Sequence, residues 1–208
     1  MTDDAWRSEP LPLFPLQSVL FPGGLLSLKV FEARYLDLVA DCLRSRRPFG
    51  VVCLKQGSAD TRREGEVQRF ESAGTLAELS EVDGEQAGIL RVRCIGRQRF
   101  RISQAQQQAD GLWSAPWKAV DDDPSLAPTP EMIPTVRALA NAIATLKQQG
   151  STPFIEPYRF EEAGWVANRW CELLPIPLAA KQKLMELDEP LVRLQLVDEF
   201  LRSKGVIS

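Results

Sequence analysis

The 208-residue sequence contains no histidine. Histidine is the base of Ser-His-Asp and Cys-His catalytic groups, the ligand of HExxH zinc sites, and the side chain that titrates near neutral pH. Its absence excludes those centres from the sequence and leaves carboxylate pairs, lysine nucleophiles and Ser-Lys dyads as catalytic candidates. We therefore expect no bound metal and no cofactor.

Cysteine is also scarce. The four cysteines are Cys42, Cys53, Cys94 and Cys171, and no two of them form a C-x-x-C pair. Each lies in an apolar stretch of the sequence. Small buried thiols in a reducing compartment explain this pattern better than a disulfide framework or a metal site.

The sequence has no long apolar run. Its most apolar stretch, residues 19–31, is interrupted by Pro22, Gly23, Gly24 and Lys29, whereas a membrane helix needs about 20 consecutive apolar residues. The first six residues are acidic and lack the basic region of a signal peptide. These features predict a cytoplasmic protein without a membrane segment.

Positive charge is not in excess, because 25 Lys and Arg residues face 28 Asp and Glu residues. A net charge of -3 argues against general attraction to nucleic acid or to an anionic membrane. Five arginines could still form an RNA-binding face: Arg91, Arg93, Arg97, Arg99 and Arg101. A solvated hairpin whose arginines pair across strands with Glu78 and Glu81 explains them better, so nucleic acid is not an expected partner.

The first 120 residues predict mainly β-structure. Strands are predicted at 11–16, 25–31, 49–54, 74–82, 87–95, 97–106 and 112–120, with turns at 83–85 and Gly96 and a loop at 56–69. Two prolines in the first strand are typical of a sheet edge. Residues 32–47 instead repeat apolar side chains at helical spacing, which predicts one helix inserted among the strands.

Residues 121–130 are acidic and proline-rich, which predicts a solvated linker. Four helical patterns follow, at 132–148, 161–174, 178–187 and 188–201. In the last one, Val192, Leu196 and Phe200 widen the apolar stripe, so burial on more than one side is expected. The predicted organisation is therefore an α+β chain, with a β domain at 1–120, a linker at 121–130 and a helical domain at 131–208.

Several ordered motifs resemble the N-terminal substrate-binding domain of Lon-type ATP-dependent proteases. The matching segments are residues 11–16, 19–23, 28, 31–35, 49–52, 74–79, 95–102, 173–175, 181–186 and 193–194. They run in the same order over nearly the whole chain. The resemblance implies an N-terminal mixed β pseudo-barrel of the PUA-like type with one inserted helix, followed by a C-terminal four-helix bundle.

The resemblance also implies a recognition function rather than catalysis. The sequence contains no G-x-x-x-x-G-K-[ST] phosphate loop, and its one adjacent Ser-Lys pair, Ser203-Lys204, lies in a charged terminal turn with nothing to orient it. We expect a non-enzymatic module that binds polypeptide, unfolded or apolar segments above all. A homodimer is a further expectation.

Phe31, Glu32, Arg34 and Tyr35 are the first candidate binding residues, at the junction between a strand and the inserted helix. Glu32 suits the positive end of the helix dipole, and Arg34 is expected to pair with Asp37 one turn further on. Ion pairs at such junctions are usually architectural, so a supporting role is favoured over catalysis.

Trp165 and Trp170 are the other candidates for lining or supporting a binding cleft. They lie five residues apart, about 140° around a helix, so both cannot be central to one stripe. We expect one in the core and the other near an edge or a cleft. Asp121, Asp122 and Asp123 could suggest a hard-metal site, but their spacing lacks the turn glycine of a calcium loop.

Two other functions remain open at this point. One is a small-molecule-binding protein, or an enzyme based on carboxylates or lysine, that uses the cleft between the two domains. The other is RNA binding through the arginine-rich hairpin.

Overall fold

A computed structural model describes residues 8–56 and 69–207, except for the side chain of Gln56. The acidic start of the chain and most of the loop predicted at 56–69 lie outside the described residues. The chain divides into two compact units, an N-terminal unit of Met1–Asp121 and a C-terminal unit of Asp122–Ser208. None of the described helices is long and apolar enough to cross a membrane.

The N-terminal unit is a mixed sheet with one helix. Its strands are β1 Leu11–Leu16, β2 Leu25–Val30, β3 Phe49–Gln56, β4 Arg69–Gln86, β5 Ile89–Ile102, β6 Gln106–Gln107, β7 Trp113–Ala115 and β8 Trp117–Ala119. The helix α1 is Ala33–Ser45. It begins and ends within two residues of the prediction, because its apolar face repeats at helical spacing and Pro48 follows it.

The strands follow the order β2-β5-β4-β3-β1-β7-β6, and β8 pairs with β5. β1 and β3 are parallel, and the other pairs are antiparallel. Pro116 alone separates β7, which pairs with β1, from β8, which pairs with β5. The sheet therefore nearly returns on itself, but the expected pseudo-barrel is not closed.

The prediction that β1 is an edge strand is wrong, because β1 lies between β3 and β7. Its register explains how two prolines are tolerated there. Pro12 lies in the stretch that pairs with β7, whereas Pro15 lies in the stretch that pairs with β3. Each proline therefore pairs with a neighbouring strand on one side of β1 only. An N–H that points to the other side is not needed for the ladder, so its absence can be tolerated.

The turn predicted at Gly96 is also absent, because Gly96 lies inside the continuous strand β5. Its role is close packing: a Cβ atom there would lie 2.2 Å from the carbonyl oxygen of Phe21. The β4–β5 hairpin turns at residues 87–88 instead of 83–85, and Gly88 has a φ of 78°. A positive φ of this kind favours glycine.

Two clusters form the core of the N-terminal unit. One joins α1 to the sheet through residues that include Tyr35, Leu38 and Phe49. The other includes Leu13, Val52 and Phe100, with Trp113 and Trp117 at its margin. The first cluster fixes the position of α1, and with it the candidate site.

The C-terminal unit is helical. Its helices are α2 Ile133–Gln148, α3 Ala163–Leu173, α4 Leu178–Glu186 and α5 Pro190–Ser203, preceded by a short 3-10 helix at Pro130–Met132. Helix α3 contacts α2, α4 and α5. This is a helical unit centred on α3, a looser arrangement than the expected four-helix bundle. The second apolar stripe of α5 is not buried, since Val192 and Leu196 are exposed.

Asp123 does not behave as a solvated linker residue. Its carboxylate accepts hydrogen bonds from both Nη atoms of Arg193, at 2.6 and 3.2 Å. Arg193 is fully buried and donates its remaining N–H groups to Asn168 Oδ1, Leu184 O and Leu187 O. All five guanidinium donors are therefore used, and they tie the acidic segment to three helices of the C-terminal unit.

Candidate functional site

The junction between β2 and α1 brings four of the predicted site residues together. Glu32 is the N-cap residue of α1, but its side chain makes no capping hydrogen bond. Its carboxylate pairs instead with Arg34 Nη2 at 2.6 Å. The expected pair between Arg34 and Asp37 does not form, because the guanidinium turns back toward Glu32.

Arg34 is an internal residue, with 6% of its side chain exposed. Its Nη1 atom donates to the carbonyl oxygen of Gly111 at 3.0 Å, which holds the turn before β7 against the first turn of α1. Its Nε atom is buried and has no hydrogen-bond partner among the described residues. Arg34 therefore joins two segments, while its Nε donor is unused among the described residues.

Tyr35 and Phe31 lie in different environments. Tyr35 is buried, and its ring stacks on that of Phe14 with centroids 3.9 Å apart, while the Arg34 guanidinium lies 4.6 Å from the Tyr35 centroid. Phe31 has 53% of its surface exposed. Tyr35 thus stabilises the junction, whereas Phe31 presents an apolar ring to solvent.

A groove of about 420 Å³ lies beside this junction, within the N-terminal unit. One face of α1 forms its first wall, and residues 9–12 with the turn at 108–112 form the facing wall. We call it the α1 groove; its lining residues are Glu9, Pro10, Leu11, Pro12, Arg34, Asp37, Leu38, Asp41, Cys42, Arg44, Ser45, Arg47, Pro48, Gln108, Asp110, Leu112 and Ser114.

A smaller hollow of about 70 Å³ lies on the β2 side of the junction. Phe31, Glu32 and Tyr35 line it together with residues of β1 and β2. The junction residues therefore belong to two neighbouring depressions, Arg34 to the α1 groove and Phe31 to the small hollow.

The α1 groove combines apolar and charged residues. Pro10, Pro12 and Pro48 give it an accessible apolar base, the buried Leu11, Leu38 and Leu112 lie beneath it, and charged side chains surround it. Burial, assisted by Asp41, raises the pKa of the Cys42 thiol to about 12, so the thiol stays protonated at neutral pH and is a poor nucleophile. Among the described residues, no lysine lines the groove.

Most residues of this groove were not predicted as site residues. Arg34, Asp37, Leu38 and Asp41 recur at intervals of three and four residues, which places them on one face of α1. That spacing could have identified these residues as one face of the helix from the sequence alone. The facing wall could not be predicted, because it depends on the β1–β7 pairing of distant segments.

Trp165 and Trp170 are both buried in the C-terminal unit, so the expectation that one lies near an edge is wrong. Every residue of α3 from Ala163 to Cys171 is buried, so this helix has no exposed face. Trp170 Nε1 donates to Thr135 O at 3.1 Å. Trp165 packs against three rings, those of Phe154, Tyr158 and Phe160.

The arginine-rich hairpin is largely neutralised by cross-strand ion pairs. Arg93 pairs with Glu81 at 3.2 Å and Arg97 with Glu78 at 2.8 Å, as the sequence predicted. Arg91 pairs with Glu85 at 3.1 Å. Arg99 does not follow the predicted alternation of buried apolar and exposed arginine side chains along the strand, because it is buried.

Among the described residues of the C-terminal unit, Glu172 has a carboxyl group with a strongly raised pKa. Its oxygens lie 3.0 Å from Nη2 and Nε of the buried Arg169, and its side chain is 20% exposed. Burial raises the pKa of Glu172 to about 7, against the opposing effect of Arg169 and Lys181. Among the described residues, no group of three or more Cys, Asp or Glu side chains could hold a metal ion.

The raised pKa of Glu172 predicts a loss of stability as pH rises. Between about pH 4.5 and 7 the folded chain keeps a proton that the unfolded chain has released, so the free energy of unfolding falls across this window. The variant Glu172→Gln has no carboxyl group at this position, so its free energy of unfolding should not fall in this way. Between pH 5 and pH 8 the stability of the variant should rise relative to wild type by about 2 kcal/mol, measured by urea unfolding. If the free energies of unfolding of the variant and of wild type changed in parallel with pH, the raised pKa of Glu172 would be contradicted.

A family model described as the ATP-dependent protease La (LON) substrate-binding domain matches residues 10–203. The chain belongs to this family. Among curated relatives, Lon protease 2 of Myxococcus xanthus is 27% identical over 203 residues, which are 95% of this chain and 24% of that protein. Protein cereblon of Danio rerio is 30% identical over 109 residues, which are 50% of this chain and 24% of that protein.

Solved structures agree with this LON membership. A Lon N-terminal domain protein from Xanthomonas campestris matches with a TM-score of 0.72 at 30% identity, covering 90% of this chain and 96% of that one. The N-terminal domain of the Mycobacterium avium complex Lon protease matches with a TM-score of 0.60 at 16% identity, covering 92% and 97%, and shows the fold alone. The chain spans about a quarter of the length of its curated Lon relatives.

Proposed function

We propose that this LON-family chain is a non-catalytic recognition module that binds segments of polypeptide, and that the α1 groove receives them. The observation that carries the proposal is the groove itself, with an apolar base and a polar rim on a surface fixed by the buried Arg34 and Tyr35. The family description supports it, because it names a substrate-binding domain.

The size of the groove fits part of a chain rather than a folded partner. A volume of about 420 Å³ lies within the range of specific ligand sites and accommodates a few side chains. Apolar side chains would contact Pro10, Pro12 and Pro48 above the buried leucines, and polar groups of the segment would face the rim. Phe31, exposed beside the small hollow, adds a second apolar contact for a longer segment.

Obstructing the groove should weaken binding strongly without unfolding the protein. Ser45 is exposed at the end of α1 and lines the groove, so Ser45→Trp places an indole ring inside it. Ala40 is exposed on the same helix but does not line the groove, so Ala40→Trp is the matched control. Fluorescence anisotropy with a labelled, permanently unfolded carboxymethylated polypeptide measures the affinity.

We expect Ser45→Trp to weaken binding at least tenfold and Ala40→Trp to change it less than twofold. Equal affinities for the two variants would place the binding surface elsewhere. If the unfolded polypeptide did not bind to the wild-type protein, the proposed function would be disproved. The same assay with structured RNA tests the prediction that nucleic acid is not a partner.

A further inference from the structure

We propose that the α1 groove selects polypeptide segments that carry a lysine or arginine next to apolar side chains. This inference rests on the proposed function and names the class of segment that the same site prefers. It follows from the charges that line the groove and from the partners those charges already have.

Every cation of the groove is matched by an acidic residue. Arg34 pairs with Glu32 at 2.6 Å, and Arg47 pairs with Glu9 at 2.7 Å. Arg44 pairs with Asp41, one turn before it on α1. These three pairs leave no uncompensated positive charge for an acidic segment to contact.

Two carboxylates of the groove are left without an ion pair among the described residues, those of Asp37 and Asp110. Asp37 is exposed on α1, one turn after Arg34. Asp110 Oδ1 accepts a hydrogen bond from the backbone N–H of Leu112 at 2.8 Å, which fixes its position in the turn. The uncompensated charge of the groove is therefore negative.

The fold places these two carboxylates on facing walls. The hydrogen bond from Arg34 to Gly111 holds the turn that carries Asp110 against the first turn of α1, and Asp37 follows on the same helix face. A basic side chain whose aliphatic stem lies over the apolar base would bring its charge between these two carboxylates.

Arg34 fixes the walls of the groove from within the protein. More than nine-tenths of its side chain is buried, it lines the groove, and its Nε atom has no hydrogen-bond partner among the described residues. Because the Nε atom is itself buried, Arg34 contributes to the groove by holding its walls, through its contacts with Glu32 and Gly111.

Three peptides of identical length and apolar content, differing only in a central Lys, Ala or Glu, test the inference by fluorescence anisotropy. We expect the Lys peptide to bind about fivefold more tightly than the Ala peptide and at least tenfold more tightly than the Glu peptide. The preference should shrink as salt rises, because the carboxylates lie at the protein surface.

The double variant Asp37→Asn/Asp110→Asn should reduce the preference for the Lys peptide over the Ala peptide to less than twofold. Asp83→Asn/Asp121→Asn makes the same change in net charge away from the groove and should keep the preference.

Equal binding of the three peptides to wild type would overturn this inference while leaving polypeptide binding intact. A preference for Lys that survives in Asp37→Asn/Asp110→Asn would overturn it as well, since the selectivity would then arise elsewhere. No binding of any peptide would overturn the proposed function together with the inference.

Discussion

Replacing Arg193 with methionine should lower the free energy of unfolding of the C-terminal unit by about 3–5 kcal/mol. Only 1% of the Arg193 side chain is exposed, and it satisfies the Asp123 carboxylate, the Asn168 side chain and two backbone carbonyls. Methionine fills a similar volume but donates no hydrogen bond. The loss therefore comes from a carboxylate and three other acceptors left without their donor.

Arg202→Met is the matched control, because Arg202 lies on the same helix and pairs with Asp198 at 2.7 Å while 39% of its side chain is exposed. Exposed ion pairs contribute little, so the control should cost about 1 kcal/mol or less. Urea unfolding followed by tryptophan fluorescence measures both variants, since Trp165 and Trp170 lie in this unit. If the two substitutions lowered the free energy of unfolding by similar amounts, the buried hydrogen-bond network of Arg193 would not stabilise the fold.

Replacing Gly74 with alanine should destabilise the N-terminal unit by about 3 kcal/mol or more. A Cβ atom at this position would lie 2.2 Å from the carbonyl oxygen of Val51 and 2.7 Å from the ring of Phe100. The neighbouring strand β3 and the core around Phe100 would both have to shift, and overpacking a well-filled core is costly.

Gly84 provides the control within the same strand, because no atom lies within 4 Å of a Cβ atom added there. Gly84→Ala should leave stability within about 0.5 kcal/mol of wild type. Thermal unfolding followed by far-UV circular dichroism compares the two variants. Equal melting temperatures would mean that β3 and β4 do not approach as closely as the structure places them.

Local patterns in the sequence were sufficient to locate most elements. Helix α1 was predicted because Leu36, Val39, Ala40 and Leu43 recur at helical spacing before Pro48. The arginine–glutamate pairs of the hairpin followed from strand alternation. The resemblance to Lon-type proteases was confirmed by the family model, which covers residues 10–203.

Interactions between distant segments could not be predicted in this way. Asp123 looked solvated because its buried partner, Arg193, lies 70 residues further along the chain. Gly96 looked like a turn, since a sequence does not show that Phe21 passes against it. The α1 groove depends in the same way on β1 lying beside β7.

The candidate site was predicted only in part. Arg34 and Tyr35 were chosen with Phe31 and Glu32 because they meet at a strand–helix junction, and the structure brings all four together. Trp165 and Trp170 are core residues of α3, and their role in supporting a binding cleft stays a prediction. Asp37 and Asp110 were missed, because an acidic residue in a loop or on a helix face carries no local sign of what it faces.

The central claim is that a polypeptide segment occupies the α1 groove. Backbone amide chemical shifts of the isotope-labelled protein, recorded with and without a saturating unfolded peptide, test it most directly. The account predicts that the largest shifts cluster at the groove, on the Arg34, Asp37 and Asp41 face of α1 and in the turn at 108–112. Largest shifts at residues that do not line the groove, with this set unchanged, would contradict it.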